Sequence, residues 1–350
     1  MLTLKEAKDL VKPLDIQSME AARKRWDSIA HPLHSLGMME DLVVQIVGIT
    51  RSQDVNIGKK ALVSMCADNG VVEEGVTQTG QEITALVGEN FLKGDAISSI
   101  FSKLAGADHF PIDVGMVSDT KVPMKKVAYG TRNMAKEPAM TYEQAVQSIE
   151  AGIQTAEELK NQGYRLLATG EMGIGNTTTS SAMAAVLLNQ PVEAVTGRGA
   201  GLSTAGLEKK IQVIGHAIRA YKPDPADPVD VLAKVGGFDI GGIIGLFLGG
   251  AALGIPVVID GFISGVAALA AAGICPQAKD YMIASHVSQE PAAHMILEAL
   301  GKEAFLHGHM CLGEGSGAVA LFPLLDMAAA VYEKMSTFCD IHMEEYKHLD

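Results

Sequence analysis

The chain has 350 residues, of which 48% are hydrophobic, 20% charged and 5% aromatic, with 37 glycines. That composition buries a large core and makes many tight turns, which excludes a disordered chain. The net charge of −13 argues against nucleic acid and anionic membrane surfaces as partners, so an anionic substrate needs a local site.

Residues 1–50 read as short helices broken at His31-Pro32 and Gly37, a small helical domain joined by a C-terminal helix over 326–350; 51–325 form the main domain. Met1 to Leu10 carries four charges and no apolar run, so no signal peptide is expected. Cys66, Cys275, Cys311 and Cys339 are scattered without a Cys-x-x-Cys pair, as expected of reduced thiols in a cytoplasmic protein.

Strand patterns cover Ala61 to Ala67, Phe110 to Val114, Tyr164 to Thr169, Val257 to Ile259 and Tyr281 to Ala284. Between them, Glu82 to Phe91 turns helical, and Met116 to Met140 with its two prolines leaves the sheet. Thr141 with Gln144 makes a capping box for a helix striped by Ala145, Ile149, Ile153 and Ala156. The strand, loop, helix rhythm predicts an α/β fold with a parallel, doubly wound sheet. Ile240 to Ile259 holds no charge and spaces Gly241, Gly245 and Gly249 as a transmembrane helix does. Pro256 and the β-branched Val257-Val258-Ile259 break it, so a glycine-rich helix packed closely on a central strand is expected.

The stretch organising the chain is 170–182, Gly-Glu-Met-Gly-Ile-Gly-Asn-Thr-Thr-Thr-Ser-Ser-Ala, between the strand ending at Thr169 and an alanine-rich helix over Ser180 to Leu188. Gly170, Gly173 and Gly175 let backbone amides approach an anion, and Asn176 and Thr177 stand at a positive helix end. Glu171 would repel a phosphate unless aimed elsewhere. A second glycine turn, 197–202, contains Gly199 and precedes a helix with Lys210, either a point charge for the phosphate or a solvated lysine. Asp68, Asp260 and Ser288 lie at expected strand ends, as ribose or pocket residues or as helix caps.

The run Leu312-Gly313-Glu314-Gly315-Ser316-Gly317-Ala318 echoes 170–182: Gly-Glu, further glycines, then an apolar helix. Glu171 and Glu314 thus arrive at strand carboxyl ends, and where the sheet sets the two loops side by side they face one crevice, in which a positioned carboxylate serves as general base; alternatively each accepts loop amides at a helix start. His307, His309 and Cys311 alternate ahead of Glu314, so on a strand they share one face, as metal ligands do. Their spacing matches no zinc motif, and core or interface histidines are the favoured reading.

The two Gly-Glu runs, Gly197-Arg198-Gly199-Ala200-Gly201-Leu202 and Asp260-Gly261-Phe262 together resemble the nicotinate-nucleotide:dimethylbenzimidazole phosphoribosyltransferases of cobamide synthesis, over nearly the whole chain. The resemblance implies a six-stranded Rossmann-like domain with a small helical domain from both chain ends, a dimer, and phosphoribosyl transfer from nicotinate mononucleotide to a lower-ligand base, without metal or redox cofactor. It makes Glu314 the general base and Glu171 the second acid, assigns phosphate binding to Lys210 and the amides of Gly173 to Thr177, and sets Met172 and Leu312 in the acceptor pocket. Members commonly show Asp-His-Gly where this chain has Asp68-Asn69-Gly70, and a proline shortly after a Glu-Gly-Val-Ser run, where it reads Glu74-Gly75-Val76-Thr77-Gln78-Thr79-Gly80. Both changes fall where the acceptor pocket, with Asp68 and Thr77, is expected to be built. The alternative is a relative using phenol or p-cresol as a heterodimer of similar chains, or the non-catalytic partner in one.

Overall fold

The computed structural model describes residues 1–348. Its centre is a parallel sheet of β1 (Lys60–Ala67), β2 (Ala107–Gly115), β3 (Leu166–Met172), β4 (Val257–Ile259) and β5 (Met282–Ala284), in the order β2-β1-β3-β4-β5. The inner strands are largely apolar on both faces because helices cover both. Ala61, Val63 and Met65 of β1, Leu167 of β3, Val257 and Ile259 of β4 and Met282 of β5 belong to one buried cluster. Their neighbours Leu62, Leu166, Ala168, Val258 and Ile283 belong to another. The period of two along the strands thus sorts the core into two layers.

The first layer is closed by helices Tyr142–Asn161, Phe238–Leu253 and Phe262–Ile274. The capping box forms: the Thr141 hydroxyl accepts the Gln144 N–H at 3.1 Å, and Gln144 Oε1 accepts the Thr141 N–H at 3.0 Å. The uncharged stretch becomes Phe238–Leu253, 16 residues ending at Gly254, about 24 Å of helix and short of a bilayer core. Its glycines replace side chains where two helix backbones touch. A Cβ on Gly245 would stand 2.8 Å from Gly152 Cα of the facing helix and closer still to the Ile149 carbonyl.

The second layer is closed by Ile16–Ser28, Met38–Thr50 and Ser316–Lys334, through Trp26, Val43, Ile46, Leu321, Phe322 and Leu325. Ser316–Lys334 is long and apolar enough to cross a membrane by composition, yet this face is spent on the sheet. The helix runs through residues 325 and 326, where a boundary was expected, and no helix follows within 335–348. The tail is tied to the amino-terminal helices by the antiparallel bridge Ile29 to Thr337.

Three expectations are corrected. The sheet has five strands, not six: beyond β5 a single parallel bridge, His286 to Leu306, takes the sixth place, and the chain leaves extended geometry with His309 in the left-handed region at φ 53°. For the same reason His307, His309 and Cys311 are not on a strand and share no face, and no three His, Cys, Asp or Glu among the described residues are grouped to hold a metal. Finally, β3 continues to Met172 because Gly170 and Glu171 pair with Ser64 and Met65 of β1; the following helix is Asn176–Leu187, four residues earlier than its alanine run.

Gly245→Ala drives a methyl into backbone rather than into a side chain that can turn away. Overpacking of this kind costs about 1–3 kcal/mol, so the urea midpoint is expected to fall; an unchanged midpoint contradicts the contact described.

Candidate active site

A cavity of about 310 Å³ opens at the carboxyl ends of the strands, lined from β3 and its loop by Glu171, Met172, Gly173, Ile174, Asn176 and Thr177. The loops after β4 and β5 add Asp260, Phe262, Ser288 and Glu290, and the last loop adds Leu312, Gly313 and Glu314. Ligands of open α/β sheets bind at this end. The described lining holds four carboxylates and no lysine or arginine.

Glu171 and Glu314 meet through the backbone. The Glu314 N–H donates to Glu171 Oε1 at 3.2 Å. Glu314 is a non-glycine residue in the left-handed region, φ 61°, between Gly313 and Gly315, which are left-handed too. Gly170 lets this loop lie against β3, since a Cβ there would stand 2.5 Å from the Glu314 carbonyl oxygen and 2.6 Å from Ser64 Oγ. The Glu314 carboxylate accepts the Ser98 hydroxyl at 3.1 Å. Burial raises its pKa, partly offset by that hydrogen bond, and the Asp260 charge adds to the rise.

Behind Glu171 lies a buried acid pair. Asn176, the first residue of its helix, donates through Nδ2 to Glu171 Oε2 and, at 3.0 Å, to Asp239 Oδ2. Burial pushes both up, Glu171 to about 8 with the Asp239 charge adding to the rise, and Asp239 to about 7 with the Asp68 charge adding to it. Asp239 is fully buried. Its one signal in the sequence is an acid standing inside the apolar run Gly236-Gly237-Phe238-Asp239-Ile240.

Lys210 is fully buried, not solvated. Its Nζ donates to Thr177 Oγ1 at 2.9 Å and to the Gly197 carbonyl at 3.2 Å. It stands one side chain behind the wall that Thr177, Gly199 and Glu290 form. Burial lowers its pKa to about 8, against the pull of Glu290. Gly199 is left-handed at φ 51°, and a Cβ there would crowd Thr177 Oγ1 at 2.7 Å. Gly173 lines the cavity, and Gly175, at φ 94°, caps the helix entry. Ser288 also lines the cavity, and its Oγ accepts the Glu290 N–H at 3.3 Å.

Asp260 reaches the cavity, but its oxygens are engaged: they accept the N–H groups of Gly317 at 2.8 Å, Ala318 at 3.0 Å and Gly315 at 3.1 Å. It caps the last helix from outside. Asp68 and Thr77 stand outside the described lining. Asp68 is drawn to the Val117 N–H at 2.8 Å and Thr77 to the Thr79 carbonyl at 2.8 Å. The apolar wall comes instead from Ile83 and Val87 of the helix after β1, with Met172 and Leu312. Ile83, Val87, Glu290 and His286 were not picked out in the sequence, because nothing local separates them from core and loop residues.

The acid pair sets a pH signature. Glu171 ionises near 4.5 when exposed and near 8 when folded. Below about pH 4.5 both states hold the proton and the group is neutral to folding. As pH climbs through that window only the unfolded chain releases it, so Glu171 increasingly opposes folding. Glu171→Gln is therefore expected to raise the melting temperature of the ligand-free protein at pH 8 relative to its effect at pH 5; an equal shift at both contradicts the raised pKa.

A family model described as Phosphoribosyltransferase matches residues 11–342. The nicotinate-nucleotide–dimethylbenzimidazole phosphoribosyltransferase of Ruminiclostridium cellulolyticum is 47% identical, covering 100% of both chains. That of Acetivibrio thermocellus is 46% identical over 99% of this chain and 98% of its own. The crystal structure of CobT from Thermus thermophilus superposes with a TM-score of 0.89 at 38% identity, over 94% of this chain and 99% of that one. With its two Gly-Glu loops joined at one cavity and this likeness running end to end, the chain belongs to the nicotinate-nucleotide–dimethylbenzimidazole phosphoribosyltransferase family.

Proposed function

We propose that the protein transfers phosphoribose from nicotinate mononucleotide to a benzimidazole-type lower-ligand base, giving an α-ribotide and nicotinate for the nucleotide loop of cobamides. What supports this reading is that the Glu314 N–H donates to Glu171 and that both carboxylates line a single cavity together with the glycine loop 173–177.

The donor phosphate sits at the entry of helix Asn176–Leu187, held by the loop Gly173 to Thr177, Gly199 and Ser288, with Lys210 as counter-charge one layer back. An arriving phosphate draws the Lys210 ammonium toward full charge. The acid-rich remainder suits the donor's pyridinium and the cationic ribosyl centre that forms as it leaves. Met172, Leu312, Ile83 and Val87 clasp a flat aromatic acceptor. Glu314 takes the acceptor N–H proton as the ring nitrogen bonds to C1′ in line. The old C1′–N bond breaks with its electron pair passing to the departing pyridine nitrogen, and the centre inverts. A leaving group that departs as a neutral ring asks for no metal or redox cofactor.

The exposed stripe Ile97, Ile100 and Leu104, 50%, 48% and 81% exposed, lies on helix Ile97–Leu104 and suits a second copy of this or a similar chain. Four unpaired cysteines fit a reducing, cytoplasmic setting.

Nicotinate release from nicotinate mononucleotide, measured with benzimidazoles, purines and phenols, tests the reaction. Benzimidazoles are expected to be the better acceptors, and Glu314→Gln to lose about 10²–10⁴ in rate; undiminished turnover in that variant removes Glu314 as base. Activity with phenols alone, and only beside a second similar chain, would favour the heterodimer reading. Leu104→Asp is expected to convert a dimer to monomer in sedimentation, and a species of unchanged mass removes that stripe from the interface.

A further inference from the structure

Outside the cavity lining, three serines and one histidine converge on Glu314. Ser98, fully buried on helix Ile97–Leu104, donates to the Glu314 carboxylate at 3.1 Å. Ser64 of β1, also fully buried, donates to the Glu314 carbonyl at 3.3 Å, and no other described residue does. Ser64 Oγ lies 2.8 Å from His109 Nε2, and His109 Nδ1 lies 2.8 Å from Ser99 Oγ. Ser99 also approaches the Phe91 carbonyl at 3.2 Å.

The hydrogens of this chain can be counted. Desolvation holds His109 down near 4, so the ring is neutral at pH 7, with one N–H and one acceptor nitrogen. With Nε2–H, the ring donates to Ser64, Ser64 donates to Glu314, and Ser99 donates to Nδ1. With Nδ1–H, Ser64 must turn its hydrogen to the ring and abandon the Glu314 carbonyl. The Phe91 carbonyl does not need Ser99, for it already receives the Gly94 N–H at 3.2 Å. Only the first arrangement satisfies every group.

Glu314 needs such support. A non-glycine residue at φ 61° persists only where its surroundings hold it, and here both backbone polar groups are gripped, the N–H by Glu171 and the carbonyl by Ser64. We propose that Ser98 and the Ser64–His109–Ser99 chain are positioning residues for Glu314: Ser98 fixes the carboxylate that takes the acceptor proton, and His109, as the Nε2–H tautomer, holds Ser64 against the backbone that aims it. This rests on Glu314 being the general base.

The titratable groups facing Glu314 are Asp260, whose charge raises its pKa, Glu171 at its amide, and neutral His109 behind Ser64. Removing the Ser98 hydroxyl deletes a donor that favours the carboxylate while leaving these in place. Ser98→Ala is expected to lower kcat about tenfold or more, to leave the donor KM nearly unchanged and to shift the acid limb of the kcat/KM profile upward, with Ser98→Thr restoring both. Histidine ¹⁵N NMR of the full chain at pH 7 is expected to show the Nε2–H tautomer for the signal that Ser64→Ala perturbs and His109→Gln removes. An Nδ1–H ring overturns the His109 arm, and an unmoved acid limb in Ser98→Ala, with Glu314→Gln inactive, overturns the Ser98 arm. Should Glu314→Gln stay active, the base reading fails; the Glu314 titration, followed by ¹³C NMR in wild type and Ser98→Ala, then decides the Ser98 arm by itself, a common pKa overturning it.

Discussion

The site depends on one contact, the seating of the Glu314 loop against the end of β3. Gly170 gives up its side chain so that the Glu314 carbonyl can lie on the strand, and Glu171, the next residue, takes the Glu314 amide. Because successive strand residues point to opposite faces, this pair can touch the loop with backbone on one side and carboxylate on the other. A displacement reaction with little covalent work for the protein gains mainly from positioning. Two acids held through a single backbone unit move together, whereas two acids on independent loops would not.

That arrangement costs stability. Glu171 and Asp239 share the Asn176 amide with no cation among the described residues hydrogen-bonded to either, so burial drives both toward the neutral form. A structural role alone would be served as well by uncharged side chains. The expense makes sense where a developing positive charge at the ribose is to be stabilised, since a group poised to give up its proton near neutrality responds to that charge.

Much of this was legible in the chain, and what was not has a common cause. The strands, the Thr141 capping box, the buried glycine helix and the two Gly-Glu loops follow from periodicity and local chemistry, which neighbouring residues determine. Ser64, Ser98, His109 and Asp239 carry no such mark, because their roles arise from partners 45 to 250 residues away. His307, His309 and Cys311 show the converse limit of local pattern. Their alternation was real, but alternation means a shared face only on a strand, and the left-handed residue at 309 removes it.

The two Gly-Glu loops echo each other, but their helix entries are occupied differently. Both lead into a helix through a left-handed glycine, Gly175 or Gly315, whose own side offers no cap, so each helix begins with amide donors and a partial positive charge. At the second helix the Asp260 carboxylate occupies those donors, taking Gly315, Gly317 and Ala318 at once. At the first no carboxylate does so, and Lys210 waits behind Thr177. A phosphate at the second entry would meet Asp260 and Glu314; at the first, where the Asn176 and Thr178 N–H groups turn to the Gly173 and Gly175 carbonyls at 3.0 and 2.9 Å, it would meet the helix dipole and a buried ammonium instead. The same local motif is therefore a carboxylate mount in one copy and, among the described residues, free of a capping carboxylate in the other, and the residue that separates the two is Asp260.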